Sequence, residues 1–477
     1  MKQINFPAIF IIFGITGDLA KKKLISSLFE LSRKDLLPKK FKILGFSHTN
    51  LSDQTEDPDK ALRNYIGEVL SEKDYNVDSK DVKDFVNSVH YQQGDLTKEK
   101  DFEQLKTQIN KLEEDFGQCA NKLYYFSIPP KFYEPTLDKL CAVGLNEPCS
   151  RETGWARVLI EKPFGKDIES SKSLDKKLSQ VLQEEQIFRI DHYLKKSMVQ
   201  NILTFRFSNS IFEPVWNKEY IEQVNINMHE DFGVEDRGSF YDNIGALRDV
   251  GKNHCLQMLA TIAMDNPKSL EGNTIRSKRA DILSNLHCFK KEEVQEKTTR
   301  AQYEGYKNIE GVAEDSDTET FFRLETTIEN EKWKGVPFVI ESGKQLHRKH
   351  TTIEVIFKPS KFALCPTNEK WEDKNKIIFT IQPKPGIEID FVSKKPGFKY
   401  ELEHKKFNFD LAKDREEIPA AYQKVLYDGL KGDQTMFAST KEIEAAWEFT
   451  EPILKSWENG KPELQKYKKG IDPDNIG

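Results

Sequence analysis

The chain has 477 residues, of which 37% are hydrophobic and 31% are charged. This length suggests two or three domains, and ordinary Gly and Pro contents of 25 and 20 residues exclude collagen-like and low-complexity classes. The net charge, 72 − 78 = −6, gives no electrostatic reason to expect nucleic acid as a partner. No apolar run is long enough to cross a membrane, so we also expect no membrane binding.

The cysteines show no pattern of a metal site or a disulfide framework, because no C-x-x-C pair occurs among them. We therefore expect no metal, reduced and mostly buried thiols, and a cytoplasmic location. Residues 6–15 resemble the core of a signal peptide, but a Gly turn follows where a cleavage site would stand. That turn favours a buried strand. The six cysteines are at positions 119, 141, 149, 255, 288 and 365.

The first part of the chain alternates between apolar strand patterns and amphipathic helix patterns. A helix is predicted over 20–34, and another amphipathic segment at 169–188 closes this part. Continuous apolar strands separated by helices predict a doubly wound parallel sheet, a Rossmann-like α/β domain spanning 1–185. The predicted strands are 9–14, 41–47, 89–95, 121–130 and 157–165.

After about residue 190, alternating strand patterns separated by turn residues replace this order. Long helices are predicted near 242–264 and 419–430. The pattern predicts an α+β domain over 186–477, with a large, mostly antiparallel sheet and helices on one face. The predicted strands are 220–231, 321–330, 337–344, 351–359 and 376–392.

The first strand runs into the turn Gly14-Ile15-Thr16-Gly17-Asp18-Leu19, which precedes the first helix. Glycines permit a tight turn and close backbone approach, and a helix N-terminus offers N–H groups to a pyrophosphate. The turn therefore predicts nucleotide binding. Its spacing is G-x-x-G and not G-x-G-x-x-G, so a purely structural turn is the alternative.

The end of the second strand normally selects the coenzyme, because a carboxylate there binds a ribose 2′-hydroxyl and an arginine accepts a 2′-phosphate. The run here is Ser47-His48-Thr49, which contains neither. The missing carboxylate disfavours strict NAD use, and these side chains would hold a phosphate more weakly than a guanidinium. An ordinary polar loop is the alternative.

Two runs near the domain boundary carry candidate ligand-binding groups. Lys162 follows the last strand of the first domain, where it can reach both coenzyme and substrate. A helix predicted from about Asp191 places His192 and Lys196 on one face with Tyr193 beside them, a donor cluster suited to phosphate or sugar oxygens. A surface lysine and a solvated helix start are the alternatives.

In the second domain, Glu230 and Asp249 can accept hydrogens from sugar hydroxyls. His254 can remove a proton near neutral pH if a carboxylate fixes its tautomer, and Asp191 is the candidate for that carboxylate. Asp249 and His254 are five residues apart, about 140° around an α-helix, so we expect them on different faces. Lys344 and Lys349 add positive charge. A core histidine and a solvated basic turn are the alternatives.

Taken together, these runs resemble the glucose-6-phosphate dehydrogenase family. The matching stretches are GITGDLAKKK, EKPFG, RIDHYLKKSMVQN, RDVGKNHCLQM and SGKQL, in the family's order, and the resemblance covers about residues 9–400. It implies a Rossmann-like coenzyme domain followed by a β+α domain, assembled as a homodimer or homotetramer. It also implies hydride transfer from the anomeric carbon of glucose 6-phosphate to NADP, the first step of the oxidative pentose phosphate pathway.

The resemblance implies a role for each candidate residue. His254 would be the general base and Asp191 the carboxylate that orients it, with Lys162 between substrate and coenzyme. The implied phosphate ligands are His192, Tyr193 and Lys196. The implied sugar contacts are Glu230, Asp249 and Lys344, with Lys349 and Gln382 weaker. The implied coenzyme contacts are Gly14, Thr16, Gly17, Asp18, Leu19, Lys23 and Lys162, and the position at the end of the second strand adds Ser47 and His48.

The chain departs from the family pattern in two places. His48 stands where the family usually has an arginine, so dual use of NADP and NAD is open. Glu341, His350 and Glu354 stand where some eukaryotic members bind a second, structural NADP, so we expect that site to be missing. Another Rossmann-type sugar oxidoreductase and a non-catalytic nucleotide-binding relative are the remaining alternatives.

Overall fold

The computed structural model describes residues 6–51, 57–148, 154–360, 374–411 and 418–476. The chain divides into two compact units. The first consists of Met1–Gly165, Glu169–His192 and Pro419–Ala438, and the second of Lys166–Ile168, Tyr193–Ile418 and Ser439–Gly477. The first unit therefore includes a segment from late in the sequence.

Six parallel strands form the sheet of the first unit, in the order β3-β2-β1-β4-β5-β6. This is the strand order of the dinucleotide-binding Rossmann fold, with the switch point between β1 and β4. All six residues of β1 are buried, as expected for a strand covered on both faces. The strands are β1 (Ala8–Phe13), β2 (Phe41–Ser47), β3 (Val89–Gln93), β4 (Asn121–Phe126), β5 (Ala156–Ile160) and β6 (Ile187–Arg189).

The helices of this unit follow from local sequence signals. In α4, for example, Phe102, Leu105, Ile109 and Leu112 recur at helical spacing and are buried, and Gly117 ends the helix in the left-handed conformation. The helices are α1 (Ile25–Arg33), α2 (Pro58–Ser71), α3 (Lys80–Asn87), α4 (Glu99–Phe116), α5 (Tyr133–Ala142), α6 (Ile168–Val181) and α12 (Ala421–Lys431).

The helix predicted over 20–34 begins as a π-helix at Ala20–Leu24 before α1. The Ile25 N–H donates to the Ala20 carbonyl, five residues back, whereas an α-helix would use the carbonyl four residues back. Hydrophobic spacing cannot distinguish these two registers over a single turn.

Nine strands form the sheet of the second unit, in the order β14-β13-β12-β11-β7-β10-β9-β8-β15. Six neighbouring pairs are antiparallel, and only β7–β10 and β8–β15 are parallel, which confirms the predicted mostly antiparallel sheet. The strands are β7 (Ile221–His229), β8 (Thr298–Tyr303), β9 (Phe321–Thr326), β10 (Phe338–Gly343), β11 (His350–Phe357), β12 (Lys376–Gln382), β13 (Gly386–Lys394), β14 (Leu402–Asp410) and β15 (Gln465–Tyr467).

A second π-helix, Leu247–Cys255, precedes α9 in this unit. Within the described ranges, no helix is both long enough and apolar enough to cross a membrane. The α-helices are α7 (Ser197–Phe207), α8 (Gly238–Tyr241), α9 (Leu256–Ala263), α10 (Gly272–Ser284), α11 (Lys291–Lys297) and α13 (Thr440–Glu458). Short 3₁₀ turns occur at Pro130–Phe132, Glu184–Gln186, Glu213–Val215, Glu235–Arg237, Tyr306–Asn308 and Pro473–Asn475.

Among the four described cysteines, the prediction of reduced thiols is confirmed for Cys141, Cys255 and Cys288, whereas the prediction of burial is confirmed for Cys255 alone. Cys141 and Cys288 are exposed, Cys119 is disulfide-bonded, and only Cys255 is a buried free thiol. Cys141 is exposed because the neighbouring Leu140 takes the inward face of α5. The cysteines at 149 and 365 lie outside the described residues.

Candidate active site

The Gly turn after β1 is packed too closely for a side chain at its first residue. Gly14 has φ +78° and donates its N–H to the Phe46 carbonyl at 2.8 Å. A Cβ at this position would lie 2.3 Å from the Ser127 carbonyl oxygen, so only glycine fits. The Gly17 N–H closes the turn on the Gly14 carbonyl at 2.9 Å.

The residues around this turn fit a dinucleotide. Asp18 and Leu19 lead directly into the π-helix Ala20–Leu24. The first turn of this helix presents backbone N–H groups suited to a pyrophosphate. Asp18 is exposed and pairs with Lys22 at 3.0 Å, and Lys23 is exposed on the same π-turn. Beside Gly14, the Ser127 hydroxyl is buried and has no hydrogen-bond partner within the described part of the chain. A hydroxyl in this state can accept a hydrogen bond from a bound ligand or donate one to it.

A closed ring of hydroxyls occupies the end of β2. The Thr16 Oγ1 atom lies 2.8 Å from Ser47 Oγ and 3.0 Å from Thr49 Oγ1, and the Ser47 and Thr49 hydroxyls are 3.0 Å apart. The Tyr91 hydroxyl donates to the Thr49 carbonyl at 2.5 Å. The side chain of His48 is exposed, and its carbonyl accepts from Gln93 Nε2 at 3.2 Å. The ring is neutral and contains no carboxylate.

A buried carboxylate follows β5 and contacts His192. Glu161 accepts a hydrogen bond from the Tyr125 hydroxyl through one oxygen, and its other oxygen lies 3.1 Å from His192 Nε2. Its carbonyl accepts from the Tyr133 hydroxyl at 3.0 Å. Burial, followed by the charge of Glu161, raises the pKa of both phenols well above the ordinary value, so both remain donors.

Two other candidates of the first unit are next in sequence to the Glu161–His192 pair, Lys162 after Glu161 and Asp191 before His192. Lys162, half-buried, follows Glu161 directly, and its peptide bond to Pro163 is cis. The ring of Tyr422, from the late segment of the chain, lies 4.4 Å from the His192 ring. Asp191 is 4% exposed. Sequence reasoning assigned no role to Glu161, although its place at the carboxyl end of a strand was a usable signal.

The helix predicted from about Asp191 is wrong. Helix α7 begins at Ser197, and Lys196 before it is extended, with ψ 131°. The Lys196 N–H donates to the Tyr193 carbonyl at 3.0 Å, which makes residues 193–196 a turn. His192 and Lys196 therefore do not share a helix face.

In the second unit, the turn residues meet a histidine and a glutamine. The Tyr193 and His254 rings are 4.6 Å apart between centroids, and both residues are buried. Gln382 Nε2 donates to the Tyr193 hydroxyl at 2.9 Å, and Lys196 Nζ donates to Gln382 Oε1 at 3.3 Å. Two of the predicted substrate ligands, Tyr193 and Lys196, and the predicted base thus form one cluster with Gln382, which the sequence ranked as a weaker contact.

The expectation that Asp249 and His254 lie on different faces is wrong, because residues 247–255 are a π-helix. The Leu256 N–H donates to the Gly251 carbonyl, five residues back. In this register, residues five apart fall close to one another around the helix. A Cβ at Gly251 would lie 2.6 Å from Phe322, so β9 packs directly against this helix.

An ion pair joins two predicted sugar contacts. Glu230 follows the end of β7 and Lys344 the end of β10, and these parallel neighbours bring the carboxylate and ammonium groups together. Lys344 is 3% exposed, and its Nζ lies 5.3 Å from the centroids of both Phe232 and Tyr241. Lys349 is exposed, with Nζ 5.5 Å from the Phe232 centroid.

The three residues at positions where some eukaryotic family members bind a second, structural NADP lie on β10 and β11. They are Glu341, His350 and Glu354. Glu341 is buried, 2.7 Å from His229 Nε2 and 2.5 Å from Arg323 Nε. Glu354 accepts from Asn225 at 3.5 Å, and His350 pairs with His229 across β11 and β7. The absence of a second coenzyme site stays a prediction.

Comparisons with known proteins cover both units. Models of the glucose-6-phosphate dehydrogenase NAD binding domain and C-terminal domain match residues 11–201 and 203–475. This chain belongs to the glucose-6-phosphate dehydrogenase family. The sequence resemblance is therefore confirmed, and the wider sugar-oxidoreductase alternative is set aside.

Individual members of the family match the chain over nearly its full length. It is 37% identical to glucose-6-phosphate 1-dehydrogenase of Aggregatibacter actinomycetemcomitans over 93% of this chain and 90% of that one. It is 36% identical to the Bacillus subtilis enzyme over 98% and 96%. A solved glucose-6-phosphate dehydrogenase in complex with its substrate superposes with a TM-score of 0.90 at 30% identity, covering 100% of this chain and 97% of that one.

Proposed function

We propose that this protein oxidises D-glucose 6-phosphate to 6-phosphoglucono-1,5-lactone with hydride transfer to NADP, the first step of the oxidative pentose phosphate pathway. The observation that carries the proposal is the match of both domains, residues 11–475, to one family. The coenzyme supplies the hydride acceptor.

His254 is proposed as the general base. As hydride leaves C1 of the sugar, the neutral imidazole takes the proton of the anomeric hydroxyl, and the C1–O bond becomes the lactone carbonyl. Proton removal of this kind contributes roughly 10²- to 10⁴-fold to the rate. Asp191 is proposed to orient the imidazole, an assignment that rests on the family motif. The packing of His254 against Tyr193 supports a fixed ring position.

The substrate's phosphate is proposed to bind His192, Tyr193 and Lys196, whose cationic and hydroxyl donors suit a dianion. The sugar is proposed to contact Glu230, Asp249, Lys344 and, more weakly, Lys349 and Gln382. Lys162 is proposed to reach both substrate and coenzyme. The Glu230–Lys344 ion pair supports this part of the proposal, because it holds a buried cation and an acceptor side by side.

The coenzyme is proposed to lie on Gly14, Thr16, Gly17, Asp18, Leu19 and Lys23, with its ribose near Ser47 and His48. The hydroxyl ring at the end of β2 has no carboxylate to repel a 2′-phosphate and no arginine to attract one. We therefore propose that NADP is used and that NAD is also accepted.

A homodimer or homotetramer is proposed, with the second unit's sheet as the contact. At one edge of this sheet, β13 and β14 carry an exposed aromatic patch. It consists of Phe391, Phe407 and Phe409, which are 44%, 63% and 60% exposed. Apolar patches rimmed by charge mark interaction surfaces, and β14 is an edge strand. The cytoplasmic location stays a prediction.

The test is an initial-rate assay at the absorbance band of the reduced nicotinamide, with glucose 6-phosphate and either NADP or NAD. Wild type and His254→Asn are compared. We expect turnover in the wild type and a loss of roughly 10²-fold or more in the variant. A folded wild-type protein that binds nucleotide but turns over neither coenzyme would contradict the proposal and favour the non-catalytic alternative.

A further inference from the structure

Tyr241 carries a buried hydroxyl that the proposed mechanism does not use. The side chain is 0% exposed, and its hydroxyl has no hydrogen-bond partner among the residues that the structure describes. Buried polar groups are almost always paired, and an unpaired one costs free energy. The hydroxyl therefore requires an explanation, such as a ligand that binds there.

The chain around Tyr241 is well tied by hydrogen bonds. The next residue, Asp242, accepts hydrogen bonds from the Ser316 hydroxyl, from the Tyr306 hydroxyl at 3.0 Å and from the Ala313 N–H at 3.0 Å. The Tyr241 carbonyl accepts from the Ile244 N–H at 2.9 Å. These bonds order the backbone around the residue, and the ring itself is enclosed because it is fully buried.

The surroundings are the proposed sugar contacts. Lys344 Nζ lies 5.3 Å from the centre of the Tyr241 ring and is paired with Glu230. Burial, then the charges of Asp249 and Glu319, raises the pKa of Tyr241 well above the ordinary value, and Glu230 makes a smaller contribution. The phenol therefore keeps its proton and is a hydrogen-bond donor near carboxylates that do not accept from it.

We propose that Tyr241 is a further substrate-binding residue, whose hydroxyl donates a hydrogen bond to a hydroxyl group of the bound sugar phosphate. The proposal rests on the proposed function. A sugar hydroxyl both accepts and donates, so one such group can accept from Tyr241 and donate to Asp249 or Glu230. Water has the same capacity, and the test separates the two.

The test compares Tyr241→Phe with the wild type. The substitution removes one oxygen atom that has no protein partner, so we expect a melting temperature equal to or above that of the wild type. We expect the KM for glucose 6-phosphate to rise about three- to tenfold, as for the loss of one hydrogen bond, with an unchanged KM for the coenzyme. Tyr306→Phe is the matched control, since its hydroxyl bonds Asp242; it should lower the melting temperature and leave the KM for the sugar unchanged.

Sugar phosphates lacking a hydroxyl at C2, C3 or C4 identify the contact. For one of them, wild type and Tyr241→Phe should have the same KM, because the accepting group is already gone. The proposal would be overturned if Tyr241→Phe raised the KM by the same factor for all of these sugars, or if its KM for glucose 6-phosphate were within twofold of the wild type. Either result would assign the hydroxyl to water or to no partner.

Binding of glucose 6-phosphate can also be measured in the absence of turnover, from the rise in melting temperature when the sugar phosphate is added without coenzyme. This rise should be smaller in Tyr241→Phe than in the wild type. A wild-type protein that shows the rise but no turnover would contradict the proposed function and leave this comparison valid. An identical rise in both proteins would refute the role of Tyr241 alone.

Discussion

The Nε2 atom of His192 lies 3.1 Å from the buried carboxylate of Glu161, and its Nδ1 atom has no hydrogen-bond partner within the described ranges. A carboxylate only accepts, so Nε2 carries a proton in this contact. The contact fixes the orientation of the ring and leaves Nδ1 as the nitrogen that does not face Glu161. Glu161 is therefore a positioning residue for the proposed phosphate ligand.

Glu161→Gln should weaken phosphate binding. The amide keeps the shape of the side chain but replaces the hydrogen bond between His192 Nε2 and a carboxylate with a weaker neutral one, and a hydrogen bond to a charged group contributes about 1.5–3 kcal/mol. We expect the KM for glucose 6-phosphate to rise about tenfold, with the KM for the coenzyme unchanged, in initial-rate assays. The exposed Glu103→Gln is the control. Equal KM values in both variants would show that the contact has no part in binding.

Gly14→Ala should destabilise the fold and impair coenzyme binding. A Cβ would meet the Ser127 carbonyl at 2.3 Å in a backbone conformation that side chains rarely adopt, and strain of this kind costs about 1–3 kcal/mol. Urea unfolding and the KM for NADP measure the two effects.

Gly67→Ala is the matched control for this variant. It lies inside α2 with nothing within 4 Å of the new Cβ, so it should stabilise the protein by about 0.5–1 kcal/mol. If both variants gave the same unfolding midpoint, the packing argument for the turn would be wrong.

His48→Arg should shift the coenzyme preference toward NADP. A guanidinium binds a 2′-phosphate through paired hydrogen bonds that the neutral hydroxyl ring cannot make. We expect the ratio of kcat/KM for NADP to that for NAD to rise about tenfold, with the gain diminishing as ionic strength increases. Gln118→Arg adds the same charge at an exposed site of the same unit. A ratio that moves equally in both variants would indicate a nonspecific charge effect.

His350→Gln should reduce the loss of stability in mild acid. Burial, then the charges of Arg348, His229 and His347, lowers the pKa of His350 to about 4. The unfolded ring binds its proton near pH 6.5, so this residue destabilises the fold as the pH falls from about 6.5 toward 4 and has no effect above that range. Allowing for solvent screening at this half-buried ring, the penalty is about 1 kcal/mol.

Unfolding free energies at pH 7.5 and pH 5 measure this effect. The difference between the two pH values should be smaller in His350→Gln than in the wild type, and His404→Gln, at a more exposed ring, is the control. A decline in the variant as steep as in the wild type would show that His350 does not titrate in this range.

Much of the fold was predictable because its signals are local. The buried strands, the Gly turn after β1 and the amphipathic helices follow from apolar spacing and from conformations that only glycine adopts. The strand-end residues, such as Lys162 and Glu230, could be named for the same reason, whereas the roles of the other motif residues came from the family resemblance.

The tertiary structure decided what depends on packing between distant segments. The π-register that places Asp249 and His254 on one side of their helix is associated with the close packing of Phe322 against Gly251, which no helical periodicity reveals. The inclusion of residues 419–438 in the first unit likewise depends on long-range contacts. Local sequence determines which conformations each segment can adopt, whereas the choice among conformations of similar energy is made by the neighbours that each segment meets in the folded chain.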